Sequence, residues 1–131
     1  MEKNITDPWE WGKYSNSVQA VEIKQPLGTL YCSGQVAIDG ASGQPIAADM
    51  NTQFELIIRN LEQLIGEAGY EPSGIVRLNI FTTSTQEFFT NCVQTYQTWI
   101  AKHGIKQATT LLEVKGLYGG LTLELEVTVV K

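Results

Sequence analysis

The chain has 131 residues, enough for one domain with a real core, and no apolar run approaches the ~20 residues of a membrane span. It is 43% hydrophobic and 18% charged, with a net charge of -5 and only two arginines, Arg59 and Arg77. That balance is ordinary for a globular protein and argues against a broad phosphate-binding surface. Cys32 and Cys92 show no CxxC spacing, and with the lone His103 they make a poor zinc set. They read as reduced cysteines of a cytoplasmic protein. The first residues lack an apolar stretch, so no signal peptide is expected, and the Asn4-Ile5-Thr6 sequon reads as chance.

Residues 1–12 read as an ordered arm, with Trp9 and Trp11 expected to cover a surface. Val18 to Ile23 reads as a first strand, and Pro26-Leu27-Gly28 as a turn. Thr29 to Cys32 reads as a second strand that reaches Ser33-Gly34-Gln35 and continues through Ile38. Asp49 is a candidate N-cap for a helix whose apolar residues Phe54, Ile57, Ile58, Leu61, Leu64, Ile65 and Ala68 keep one face. Gly69 suits its end. Ile75 to Phe81 reads as a third strand. Ser84-Thr85-Gln86-Glu87 fits a capping box opening a second helix. Phe88, Phe89, Cys92, Val93, Tyr96, Trp99 and Ile100 form its stripe, and Gly104 ends it. His103 reads as a helix-end residue facing the dipole.

The last two strands are Thr109–Val114 and Leu121–Val130, with Gly116, Gly119 and Gly120 between them. The final one alternates strictly, placing Leu121, Leu123, Leu125, Val127 and Val129 on one face. Glu124 and Glu126 share the other, which periodicity alone reads as a solvated outer face. In a cleft, their repulsion would raise the pKa of one. The order strand, strand, helix, strand, helix, strand, strand implies a single α+β domain over 1–131, with two helices covering one face of a mixed sheet.

The sequence has no P-loop, GxGxxG, HExxH or GxSxG. The chemistry legible from the residues is thin: a tyrosine near the first strand, a Ser-Gly-Gln turn after the second, and the paired-Glu strand. Together these features resemble the RidA/YjgF family over nearly the whole chain. The residues that carry the resemblance are Tyr14-Ser15, Ser33-Gly34-Gln35, Asn60-Leu61 with Gly69, Val76 to Phe81, and the closing Leu-Glu-Val and Leu-Glu-Leu-Glu segments. The resemblance implies a chorismate-mutase-like fold and a homotrimer with small-molecule clefts between subunits. It implies hydrolysis of reactive enamines and imines to carbonyl compounds and ammonia, without metal or organic cofactor. By position, it implies that Glu124 handles the water as general acid-base, that Ser33 walls the cleft, and that Tyr14, Thr109 and Cys92 contact the substrate.

Two positions depart from the family's pattern. Deaminating members carry an arginine where Thr109 stands, four residues before Glu113, and that arginine forks onto the substrate carboxylate. The family's asparagine in the second helix falls on Cys92, with Asn91 beside it. Lys106 and Arg77 are the remaining candidate anion anchors. The expectations are therefore a RidA-like enzyme of altered substrate choice or, alternatively, a metabolite-binding module without chemistry. The ribonuclease or translation-inhibitor role attached to the family is the weaker expectation, because an acidic chain with two arginines has little to hold a phosphate backbone. No nucleic-acid or membrane partner is expected.

Overall fold

The structure is a computed structural model and describes all of residues 1–131. Its strands are β1 (Glu2–Thr6), β2 (Ala20–Lys24), β3 (Thr29–Tyr31), β4 (Ile75–Thr82), β5 (Ala108–Glu113) and β6 (Leu123–Val130). Its helices are α1 (Met50–Glu67), α2 (Thr85–Asn91) and α3 (Val93–His103). The main sheet runs β3-β6-β4-β5, antiparallel except for the parallel pair β4 and β5. A parallel pair needs a crossover, and α2 with α3 supplies it.

The helices lie on the face that the alternation of β6 marks as apolar. Leu123, Leu125, Val127 and Val129 are buried, and so are Leu78 and Ile80 beside them on β4. Phe54, Ile57, Leu61 and Ile65 of α1 close the same core, with Phe88, Tyr96 and Trp99 from the other helices. Each fully buried large apolar side chain contributes about 1.5–3 kcal/mol over leaving it in water. Asp49 caps α1 by accepting from Thr52 N at 2.9 Å, and Ser84 caps α2 by accepting from Glu87 N at 3.1 Å. Gly104 ends α3 at φ 60°, a left-handed conformation suited to glycine.

The structure differs from the expected elements in four places. The second helix is two, α2 and α3, broken at Cys92, although the apolar stripe runs through the break. Residues 2–6 of the expected arm form β1, an antiparallel partner of β2. Trp9 and Trp11 stack on each other, ring centroids 5.6 Å apart, and both stay exposed. The second strand stops at Tyr31; Cys32 N still donates to Val127 O at 3.0 Å, and the next bonds to β6 come at Gln35, which exchanges backbone hydrogen bonds with Leu125. Ser33 and Gly34 lie in the interruption.

Candidate functional site

Strand β5 is an edge, and a hollow of about 290 Å³ opens beside it on the helix side. Thr109 and Leu111 reach it from β5 and Ile80 from β4. Phe88, Phe89, Val93 and Tyr96 close it from the helices, and the turn Tyr14-Ser15-Asn16-Ser17 forms its lip. No charged side chain lines it. Tyr14 and Phe89 are the open edge, 84% and 63% exposed.

A polar knot sets the depth of this hollow. Gln107, fully buried, donates through Nε2 to Asn16 O at 2.8 Å and lies 3.0 Å from both Tyr96 Oη and Thr109 Oγ1. Val18 N donates to the Gln107 carbonyl at 2.9 Å. One glutamine thus ties the lip turn to β5. Asn16 sits at φ 56°, a left-handed conformation that asparagine tolerates better than most residues. Thr109 Oγ1 accepts from Gln107 and, at 3.5 Å, from Tyr96, so its own proton goes to neither. Burial pushes the Tyr96 phenol above its ordinary pKa, more than its hydrogen bonding with Thr109 and Gln107 lowers it. No local pattern marked Gln107, a lone polar residue whose tie to the lip turn, at Asn16, spans 91 residues of chain.

The second locus is Glu124. A methyl group placed on Gly34 would lie 2.8 Å from the Glu124 carboxyl carbon and from one of its oxygens. The carboxylate therefore lies over the glycine, in the space left where β3 is interrupted. Ser33 adjoins it in sequence and is exposed; its carbonyl accepts from Gln35 Nε2 at 3.1 Å. Glu126 is more exposed than Glu124, and its Oε1 accepts from Asn79 at 2.9 Å.

The two loci occupy opposite faces of one sheet. Thr109 pairs with Leu78 and Leu78 with Val127, all on the helix side. Glu124 pairs with Phe81 and Phe81 with Leu112, one residue out of phase and hence on the outer side. The structure brings Tyr14 and Thr109 to one hollow, and Glu124 over Gly34, the residue that follows Ser33. Within one chain it does not bring the first pair to the second.

Cys92 joins neither group. Its thiol is fully buried in the core, and burial, with smaller contributions from the charges of Glu87 and Asp49, pushes its pKa up to about 11. It sits among core side chains where the resemblance implied a substrate, because it belongs to the apolar stripe that runs from α2 into α3. Lys106 borders a different hollow, with Asp7 and Lys13. Arg77 lies on the outer face and donates to Thr110 Oγ1 at 2.7 Å. Neither replaces a cation at Thr109. His103 bonds Glu62 across to α1 at 2.8 Å, holding two helices together. No cluster of three or more His, Cys, Asp or Glu side chains could hold a metal, and no helix is long and apolar enough to cross a membrane.

The sequence model of the endoribonuclease L-PSP family matches residues 5–131. A RutC family protein of Aquifex aeolicus is 29% identical over 120 residues, which cover 92% of this chain and 90% of that protein. The mouse 2-iminobutanoate/2-iminopropanoate deaminase is 28% identical over 120 residues, covering 92% of this chain and 82% of the deaminase. In three dimensions the chain matches a Rid family protein of Yersinia pestis, YyfB, with a TM-score of 0.83 over the whole of both chains at 23% identity.

Proposed function

We propose that this chain, which belongs to the endoribonuclease L-PSP family, the RidA/YjgF family of the sequence resemblance, hydrolyses a small reactive imine in a cleft between two copies of itself. The observation that carries the reading is the division of the candidate residues between the two sheet faces. Tyr14 and Thr109 border a ligand-sized hollow on one side, and Glu124 waits with Ser33 on the other. A second copy that docks its outer face near the first copy's hollow completes the set. The family resemblance implies a homotrimer built this way, and two free cysteines suit a reducing compartment such as the cytoplasm.

The chemistry needs few groups. An enamine first tautomerises to its imine. Glu124 takes a proton from water as the oxygen attacks the imine carbon and hands that proton to the nitrogen, giving a carbinolamine. Glu124 then takes the hydroxyl proton as the carbonyl forms and gives it to the departing nitrogen, so the C–N bond breaks and a carbonyl compound and ammonia leave. A carboxylate alternating between base and acid in this way typically contributes 10²–10⁴-fold.

The test uses a neutral imine generated in the cuvette by a flavin amine oxidase, with semicarbazide competing for the free imine. The protein should lower the rate of semicarbazone accumulation by hydrolysing the imine first, and Glu124→Gln should cut that hydrolysis by roughly 10²–10⁴-fold while the chain stays folded. Equal activity in Glu124→Gln would remove Glu124 from the mechanism. Thr109 supports a second reading, a binding module without chemistry, because the hollow lacks the charge that would orient a carboxylate substrate. Ligand binding with no acceleration of any imine would favour it.

A further inference from the structure

We infer that the hollow beside β5 takes a neutral carbonyl or imine compound with an apolar, ring-sized body, and disfavours 2-oxo and 2-imino acids. The inference rests on the reading of this hollow as the ligand site. Three observations lead to it.

The first is charge. No lysine, arginine, aspartate or glutamate of the same chain lines the hollow, and the two candidate anchors lie elsewhere, Lys106 at another hollow and Arg77 on the far face of the sheet. A carboxylate entering such a space loses water and gains no partner, which is unfavourable. The second is shape. An apolar cavity of roughly 150 Å³ already accepts benzene. A hollow of about 290 Å³ walled by Phe88, Phe89, Val93 and Leu111 has room for one ring and a short substituent. Phe88 and Phe89 stand edge to face, centroids 5.7 Å apart, so a ring entering there meets aromatic faces and edges.

The third is a hydroxyl on the wall. Gln107 Nε2 lies 3.0 Å from Thr109 Oγ1 and can only donate to it, which leaves the threonine hydroxyl proton for a ligand acceptor. A carbonyl oxygen or imine nitrogen fits that role, and an ammonium does not. The residue that replaces the family's carboxylate fork thus acts as a specificity determinant of its own, reading C=O or C=N and leaving the remainder of the ligand to apolar contact.

Phenylacetone and phenylpyruvate test this directly, since they share ring and ketone and differ by methyl against carboxylate. Methyl resonances of Leu111, Val93 and Ile80 report occupancy of the hollow. We expect phenylacetone to shift them with a dissociation constant at least tenfold below that of phenylpyruvate. Thr109→Arg should reverse the order. Thr109→Val, which keeps the shape and removes the hydroxyl, should weaken phenylacetone several-fold. Phenylpyruvate binding as tightly as phenylacetone would overturn the inference and leave the site in place. An unchanged affinity in Thr109→Val would overturn the donor role of the hydroxyl. If neither ketone moves these methyls, the hollow is no ligand site, and the proposed function falls together with the inference.

Discussion

Threonine and arginine differ by a fork of charged donors, and at position 109 that difference has a definite consequence. A charge-assisted hydrogen bond contributes about 1.5–3 kcal/mol, and an arginine makes two to one carboxylate. Each ~1.4 kcal/mol retained in the transition state is tenfold in rate. Hydrolysis of 2-iminopropionate should therefore run roughly two to four orders of magnitude slower than in an arginine-bearing relative, and Thr109→Arg should recover part of the loss. Wild-type rates equal to the relative's would place the anchor elsewhere. Gly34 offers a cleaner perturbation of the other locus. The atoms nearest to an added methyl belong to the flexible side chain of Glu124, and the glycine does not occupy a left-handed conformation. Gly34→Ala should leave thermal unfolding within a few degrees of wild type while displacing the carboxylate, so imine turnover should fall toward that of Glu124→Gln. Undiminished turnover in a folded Gly34→Ala protein would mean that the carboxylate's position over Gly34 is irrelevant to the chemistry.

The elements show where periodicity suffices as a guide. Helix α1 was legible because Phe54, Ile57, Leu61 and Ile65 repeat at helical spacing, and all four are wholly buried. Strand β6 was legible from its alternation, and the structure keeps it. The break at Cys92 was hidden because both helices present apolar residues in phase across it. Strand β1 was hidden because Glu2 to Thr6 is mostly polar on both faces and pairs only with β2. The cap of α1 carries its own pH signature. The Thr52 amide, and then the Thr52 hydroxyl, hold the Asp49 carboxyl below its ordinary pKa of 3.8. A depressed carboxyl stabilises the fold above its ordinary pKa, and that contribution disappears as pH falls through the lower folded value. Asp49→Asn can still accept from Thr52 but cannot titrate, so its acid unfolding curve should be flatter below pH 3.8 than that of wild type. Circular dichroism at 222 nm against pH reads this, and superimposable curves would discount the cap as an acid-sensitive group.

At the scale of the whole molecule, sequence reading named most of the pieces and not their placement. Tyr14, Thr109, Ser33 and Glu124 were each singled out, but their division between two faces depends on the register of β4 with β5 and β6, which no single strand reveals. Tyr14 and Thr109 border one hollow because Gln107 ties Asn16 of the lip turn to β5, and local patterns carry no trace of that tie. The outer face that bears Glu124 also bears Phe81 and Leu112, and Leu112 is 50% exposed in the single chain. An assembly that covers this face would bury that apolar surface and bring one copy's Glu124 to another copy's hollow. Size-exclusion chromatography coupled to light scattering at micromolar concentration tests this claim most directly. The account predicts a mass three times that of the 14.5 kDa chain. A mass of one chain would contradict it, because Glu124 and Thr109 would then remain on opposite faces of the same sheet.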